Sequence, residues 1–139
     1  MINVRQIETT SVTFNQYNNG INEIIYHECS ERAANNFVYF VGMVAKATPS
    51  HDTAYIVCNL GKVRHQFLDY HYAQIKKLDA LYPSCKRPYF RFANISPEMT
   101  KEQEMILGYM QSLDIPRMKF NMFAIDDYQK AISWLLGGT

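Results

Sequence analysis

The last third of the chain constrains the fold most, because an apolar alternating run turns directly into an amphipathic helix. Residues 120–125 alternate as a β-strand does, and Asp126-Asp127 favour the start of a helix. The apolar positions that follow recur at helical spacing: Tyr128, Ala131, Ile132 and Leu135. Gly137-Gly138 then predict the end of this helix. A strand followed by a helix is the repeating unit of α/β folds.

The same strand-then-helix unit precedes it along the chain. Strands are predicted at 21–27, 53–58 and 89–93, and 53–58 is apolar on both faces, as a central parallel strand is. The first helix has Ser30 as its N-cap, and its predicted core positions are Ala33, Ala34, Phe37, Phe40, Val41 and Val44. The third helix begins at Ser96-Pro97-Glu98, and its predicted core positions are Met105, Ile106, Tyr109, Met110 and Leu113.

A hairpin is predicted at the start of the chain. Residues 4–16 predict a strand, and Asn18-Asn19-Gly20 predict a tight turn, because Asn and Gly tolerate positive φ. The complete order is ββαβαβαβα over residues 1–139, a single domain at this length. The sequence therefore predicts an α/β fold with an open mixed β-sheet and four helices packed mainly on one face.

Two of the predicted strands have faces of different polarity. Tyr89 and Arg91 share one face of their strand, opposite two phenylalanines, and Asn121 and Phe123 share one face of the last strand. A strand covered on both sides is apolar throughout. Either the polar face is partly open or covered by a partner, or both strands lie at sheet edges, and the sequence leaves these two alternatives open.

Composition excludes several classes of function. The formal net charge is +1 with acids and bases interspersed, so the chain lacks the basic footprint of a nucleic-acid-binding protein. Three widely spaced cysteines fit neither a disulfide framework nor a zinc motif, and they suit a reducing compartment. No apolar stretch approaches the roughly 20 residues of a membrane span, and the N-terminus lacks the apolar region of a signal peptide. We expect a cytoplasmic protein without membrane insertion.

Two segments resemble a known family. Residues 55–63, Tyr-Ile-Val-Cys-Asn-Leu-Gly-Lys-Val, are similar to the apolar strand and Asp-Leu-Ser-x-Val motif of the anti-sigma-factor-antagonist-like (STAS) domains and the bacterial SpoIIAA-like proteins. Residues 131–135, Ala-Ile-Ser-Trp-Leu, are similar to the Ala-x-x-Trp-Leu helix that closes the family's fold. The resemblance implies a STAS-like regulatory domain that works by binding a partner protein.

The chain departs from the family's pattern at the regulatory position. Regulatory members carry a phosphorylated serine at the start of the helix that follows this strand. The corresponding stretch here is 67–70, and no Ser or Thr lies between Val63 and Leu81. Asp69 supplies at most a permanent charge where phosphorylation adds a switchable one. We therefore predict that the chain is not phospho-switched.

Several reactive side chains favour structural roles. His65 and Asp69 lie four residues apart on the second predicted helix, as a general base and its orienting carboxylate do, but no nucleophile or second ligand motif accompanies them. Residues 27–29, His-Glu-Cys, point alternately to opposite faces of a strand and cannot share one metal ion. No catalytic, metal-binding or cofactor-binding residue is predicted. An enzyme that uses His65 or His71 is the weakest hypothesis.

Cations border the strands at 89–93 and 120–125. They are Arg87, Arg91, Arg117 and Lys119. Either they meet an anionic partner or they form a solvated rim, and the solvated rim is favoured on a near-neutral protein. The turn at 59–62 follows a central strand, where open α/β sheets bind ligands, but it lacks the glycine spacing of a phosphate loop.

The sequence as a whole predicts a non-catalytic protein-interaction or regulatory module without a cofactor. The predicted interaction surface joins the 59–69 region to the polar sheet face: Asn59, Gly61, Lys62, His65, Asp69, Tyr89, Arg91, Asn121 and Phe123. We also predict a homodimer that forms through the sheet face. The alternative function is binding of a lipid-like or aromatic small molecule between helices and sheet, which the methionine, tyrosine and phenylalanine content suggests.

Overall fold

A mixed sheet and four helices form the protein in the computed structural model, which describes residues 1–60, 68–83 and 86–137, with the backbone alone for 68–72. The strands are β1 (Asn3–Glu8), β2 (Val12–Tyr17), β3 (Ile21–Tyr26), β4 (Thr53–Asn59), β5 (Tyr89–Ser96) and β6 (Met118–Ala124). The helices are α1 (Glu31–Ala47), α2 (Leu68–Leu81), α3 (Lys101–Ser112) and α4 (Tyr128–Leu135), and a 3₁₀ turn, Ile125–Asp127, precedes α4. No described helix has the length and apolar content that crossing a bilayer requires.

The strands follow one another across the sheet in chain order. β1, β2 and β3 are antiparallel neighbours, whereas β3 to β6 are parallel. Crossovers between parallel strands share one hand, so crossovers that step in the same direction place their helices on the same face. α1, α2 and α3, which connect the parallel strands, lie together on one face, and α4, which follows β6, lies on the other. The predicted α/β fold with a mixed sheet is confirmed, and the helices lie mainly on one face as predicted, with α4 on the other.

The main core lies between the sheet and α1 to α3. Phe92 is at its centre, with its ring centroid 5.4 Å from that of Phe90 and 5.1 Å from that of Phe120. α1 begins where predicted, because the Ser30 side chain accepts a hydrogen bond of 3.2 Å from the Ala33 N–H. All of the predicted core positions of α1 are buried, which confirms this helix.

A smaller core lies on the opposite face, under α4. Its buried members are Ile21, Val57, Ala93, Ile95, Ala131 and Leu135. Successive strand residues point to opposite faces, so Phe90 and Phe92 lie in the main core while Tyr89 and Arg91 lie on the α4 side. The predicted difference between the two faces of β5 is confirmed.

The N-terminal segment holds two strands where the sequence predicts one. A turn divides residues 4–16, in which the Thr9 N–H donates to the Val12 carbonyl at 2.9 Å. β1 is an edge strand with five of its six residues exposed, so it lacks the apolar alternation that marks a half-buried strand. The predicted tight turn is present: the Gly20 N–H donates to the Tyr17 carbonyl at 3.1 Å, and Gly20 has a φ of +88°.

α3 begins and packs differently from the sequence prediction. Its N-cap is Thr100, whereas Ser96 is still the last residue of β5. Two of its predicted core positions are 76% and 46% exposed: Met105 and Tyr109. α3 contacts the sheet chiefly at the edge strand β6, so only a narrow stripe of the helix is covered.

Substitution of Gly20 and of Gly108 tests the effect of backbone conformation alone, because both glycines have open space around them. A Cβ added at Gly20 or at Gly108 meets no atom within 4 Å. Gly20→Ala places an L-residue at a φ of +88° and should lower the free energy of unfolding by about 1 kcal/mol, whereas Gly108→Ala, inside α3, should raise it by about the same amount. Urea denaturation of both variants checks this prediction, and a change of the same sign in both contradicts it.

Candidate functional site

Odd-numbered residues of β5 and β6 form a surface beside α4. Arg91 lies opposite Lys119 in the strand register, and Phe123 follows further along the same face. Trp134 of α4 contacts both Arg91 and Phe123. This β5–β6–α4 surface consists of Tyr89, Arg91, Lys119, Asn121, Phe123 and Trp134.

Trp134 is the central contact of this surface. The Arg91 guanidinium carbon lies 4.3 Å from the centroid of the indole, within cation–π distance, and the Phe123 ring lies 6.1 Å away, tilted by 53°. The Arg91 Nε is buried and donates to no acceptor in the described part of the chain. Nor does Arg91 form an ion pair with any described carboxylate. An aromatic face therefore stabilises this charge.

Three open recesses adjoin one another around β6. One of about 290 Å³ lies along its outer edge beside α3, one of about 400 Å³ lies between β6 and α4, and one of about 440 Å³ lies at the amino ends of β5 and β6. Each is lined by three residues of the β5–β6–α4 surface. This surface is therefore both recessed and partly exposed, as a binding surface needs to be.

Two side chains cover the outer backbone edge of β6. The register makes the odd-numbered residues of β6 bond to β5, so the even-numbered residues turn their backbone groups outward. Gln111 of α3 donates to the outward carbonyl of Phe120 at 3.2 Å. Asn121 accepts from the outward N–H of Met122 at 2.8 Å. A strand that adds to this edge must displace both contacts, which is a usual protection of edge strands.

The loop between α3 and β6 positions a second arginine. Arg117 has a φ of +63°, and its Nη1 donates to the Ser50 carbonyl at 2.9 Å and to the Arg87 carbonyl at 3.0 Å. Its guanidinium carbon lies 4.6 Å from the centroid of the Tyr89 ring. Arg87 itself is 1% exposed and pairs with Asp79 at 2.7 Å. The sequence prediction for Arg87 is therefore wrong, since a buried, paired arginine belongs neither to a solvated rim nor to a docking surface.

A buried carboxylate anchors α4 to the sheet. Glu23 of β3 is 4% exposed. Side chains from three other elements donate to it: the Tyr17 hydroxyl at 2.6 Å, the Tyr128 hydroxyl at 3.1 Å and the Asn59 amide at 3.2 Å. Burial and the adjacent carboxylate raise the pKa of Tyr17 to about 12, and they raise the pKa of Tyr128 as well. The cluster ties the start of α4 to β2, β3 and β4.

The structure brings together one part of the predicted interaction surface. The members that share the β5–β6–α4 surface are Tyr89, Arg91, Asn121 and Phe123. Tyr55 of β4 lies opposite Arg91 in the strand register. Asn59 lies four residues further along β4, about 13 Å away, and it donates to Glu23 instead. Gly61, Lys62 and His65 lie outside the described residues, and only the backbone of Asp69 and His71 is described. The 59–69 part of the surface stays a prediction.

Sequence reasoning missed Trp134 as a member of the site. Trp134 was noted only as part of the family motif at 131–135. In that motif Ala131 marks the side of the helix that faces the core. The available signal was an aromatic residue three positions after a core alanine, which places it at the border of the buried stripe. The sequence pattern does not indicate that α4 packs on the sheet face that carries Arg91.

The remaining candidate groups have ordinary structural contacts. The His27 Nε2 lies 2.6 Å from a threonine hydroxyl. Hydrogen bonds from Arg32 and Ser30 lower the pKa of the Glu28 carboxyl to about 2. Burial raises the pKa of the Cys58 thiol to about 12, as expected of a small buried hydrophobe. Within the described ranges, no three His, Cys, Asp or Glu side chains are grouped to hold a metal ion.

Comparison with known proteins gives no match: the chain matches no family model, no curated protein and no solved structure. The class that the coordinates define is an α/β protein with a six-stranded mixed sheet and four helices, as described for residues 1–60, 68–83 and 86–137. Function depends on sites rather than on folds, so the geometry of the β5–β6–α4 surface and its neighbours bears on what the protein does.

Removal of the hydroxyl of Tyr128 tests the anchor of α4. Tyr128→Phe takes away one hydrogen bond to the Glu23 carboxylate and should lower the free energy of unfolding by about 1.5–3 kcal/mol, the usual range for a hydrogen bond to a charged group. Tyr39→Phe is the matched control, because Tyr39 is 64% exposed, and it should change stability by less than about 0.5 kcal/mol. Equal values for the two variants in urea denaturation contradict the anchor.

Alkaline titration tests the environment of Tyr17. Its pKa is raised from 10.0 to about 12 in the folded state, so its contribution to stability is complete below pH 10 and is lost as the pH rises toward 12. The free energy of unfolding should fall across this window, and it should fall less steeply in Tyr17→Phe. Denaturation curves at pH values on both sides of pH 10 measure the slope. An unchanged slope in Tyr17→Phe overturns the prediction.

Proposed function

We propose that this chain is a non-catalytic protein-interaction module of STAS or SpoIIAA-like type, and that the β5–β6–α4 surface docks its protein partner. The observation that carries the proposal is the stack of Arg91 on Trp134, beside the half-buried Phe123. Tryptophan and arginine are the residues most enriched among those that dominate binding energy at protein interfaces. Trp134 lines two of the recesses around β6 and Arg91 lines the third, so both belong to a recessed, partly exposed surface.

The edge of β6 favours one mode of docking over another. Gln111 and Asn121 occupy outward backbone groups that an added strand needs. A partner therefore docks on side chains rather than by extending the sheet. This mode gives specificity through the shape and charge of the recesses around β6.

The charges of the surface indicate the chemistry of the partner. Arg91 and Lys119 form no ion pair within the described chain, whereas Lys130, at the margin, pairs with Asp127 at 3.5 Å. Electrostatic complementarity steers association and selects partners. We infer an acidic partner segment that presents an apolar side chain to the Trp134 and Phe123 rings.

The family resemblance supports a regulatory role. The segments that carry it are the central strand with its following turn and the closing helix, and this helix contributes Trp134 to the surface. The family's phosphorylated serine has no counterpart between Val63 and Leu81. The proposed module therefore exchanges partners without a phosphorylation switch at that position.

The small-molecule hypothesis has less support from packing. A lipid-like or aromatic ligand between helices and sheet needs space where the rings of Phe90, Phe92 and Phe120 stack at 5.4 Å and 5.1 Å. Around these three rings the described core is close-packed and has no space for a ligand of drug size. Native mass spectrometry separates the two functions, because a retained small molecule favours the ligand hypothesis.

Affinity capture from the native host tests the proposed function. Arg91→Glu reverses the central charge and should reduce recovery of one specific interactor by at least about tenfold, the effect of losing a buried charged contact. Lys46→Glu, on the exposed side of α1, makes the same charge change away from the surface and should retain that interactor. Asp69→Lys probes the 59–69 prediction in parallel.

Two results contradict the proposal. One is the absence of any specific interactor with the wild-type protein, and the other is retention of every interactor by Arg91→Glu. Light scattering on the same samples tests the homodimer prediction. A dimer that Arg91→Glu dissociates identifies the partner as a second copy, and a monomer at high concentration rules this partner out.

A further inference from the structure

The recess at the amino ends of β5 and β6 has an unbalanced charge. It measures about 440 Å³, and its lining includes Tyr89, Arg91, Asp114, Arg117 and Lys119. Three cations and one carboxylate give it a net charge of +2. None of these cations forms an ion pair with a carboxylate of the described residues, Asp114 included. The protein described here therefore leaves two positive charges of this recess without compensation.

The position of the cations makes this imbalance costly to the free protein. Arg91 and Lys119 are direct register partners on neighbouring strands, on the same face of the sheet. Like charges that face each other across neighbouring strands destabilise a sheet. Arg117 immediately precedes β6, the strand that carries Lys119. It adds a third positive charge at the amino end of this strand. A bound anion offsets this excess of positive charge.

The two guanidinium groups are held in place before any ligand arrives. Arg91 stacks on Trp134 at 4.3 Å, and Arg117 stacks on Tyr89 at 4.6 Å. Arg117 is fixed further through Nη1, which donates to two backbone carbonyls. Its φ of +63° is a conformation that non-glycine residues rarely adopt and that the surrounding structure must hold. Preorganised donors lose less entropy when they bind a ligand.

We propose that this recess binds a phosphate monoester, with the Arg91 and Arg117 guanidinium groups and the Lys119 ammonium around the phosphoryl oxygens. A phosphate monoester carries a charge of about −1.5 to −2 at pH 7, which matches the recess, whereas a carboxylate leaves one positive charge unbalanced. The planar donors of arginine suit phosphate oxygens. The volume lies in the usual range of small-ligand sites, roughly 300–1,000 Å³.

The phosphoryl group can be carried by a free small molecule or by a phosphorylated side chain of a partner protein. The proposal goes beyond the proposed function, because a free ester fills the recess without any partner. Tyr89, 46% exposed at the rim, offers a ring on which the organic part of either ligand stacks.

Calorimetric titration with phenyl phosphate at low ionic strength tests the site. We expect a dissociation constant of about 1 mM or tighter, at least about tenfold tighter than for benzoate, which has the same ring and a single charge. Added salt should weaken binding, because the recess is open to solvent. No measurable binding of phenyl phosphate, or equal affinity for benzoate, overturns the proposal.

Single substitutions locate the bound ligand. Arg91→Gln and Lys119→Gln should each weaken phenyl phosphate binding by at least about tenfold, since each removes a charged donor. Lys46→Gln on α1 is the control and should bind as the wild type does. Lys119 is exposed, so its variant keeps the test valid if Arg91→Gln proves unstable by circular dichroism. Wild-type affinity in the folded Lys119→Gln variant overturns the assignment.

A peptide that contains phosphotyrosine distinguishes the two carriers. Binding of the peptide at least as tight as that of phenyl phosphate identifies a phosphorylated partner, and binding of phenyl phosphate alone identifies a free ester. Either outcome supports the phosphate site even where affinity capture finds no interactor, so the two proposals fail separately. Binding of neither probe overturns the site.

Discussion

The shared hand of crossovers between parallel strands is the constraint on which the rest of this structure depends. Because β3 to β6 follow one another in chain order, every crossover helix lies on the same face of the sheet. The large aromatic core forms there. Of the described helices, only the short α4 lies on the opposite face, and the part it leaves uncovered carries the cations and aromatic rings of the β5–β6–α4 surface. The placement of the main core on one face and of the β5–β6–α4 surface on the other thus follows from topology.

Features with strong local causes could be predicted from the sequence. The apolar stripe and serine cap of α1 and the doubly buried β4 follow from periodicity and burial, and both are present. The polarity of β5 was also predictable, since alternation alone separates Tyr89 and Arg91 from the phenylalanines between them. Four of the residues that share the β5–β6–α4 surface were predicted in this way. Each of them lies on a strand, where successive side chains point to opposite faces of the sheet.

Features that depend on distant neighbours could not be predicted. β1 is polar because it lies at the edge of the sheet, and its position there depends on how the rest of the chain folds. Met105 and Tyr109 fit a helical stripe, but α3 overhangs the sheet edge and leaves them exposed. Arg87 looks like any surface cation until Asp79 and two backbone carbonyls from separate loops surround it. In each case the three-dimensional environment overrides the local pattern.

α4 has eight residues, fewer than the roughly 12 to 15 that an isolated helix needs in water. Its helicity therefore relies on docking, through Tyr128 on Glu23 and through Ala131 and Leu135 on the sheet. If the C-terminal turn detaches in a local opening, the indole leaves Arg91 while the main core stays intact. Occupancy of the surface and order of the C-terminus are then thermodynamically linked, so a bound molecule should slow amide hydrogen exchange in this helix first.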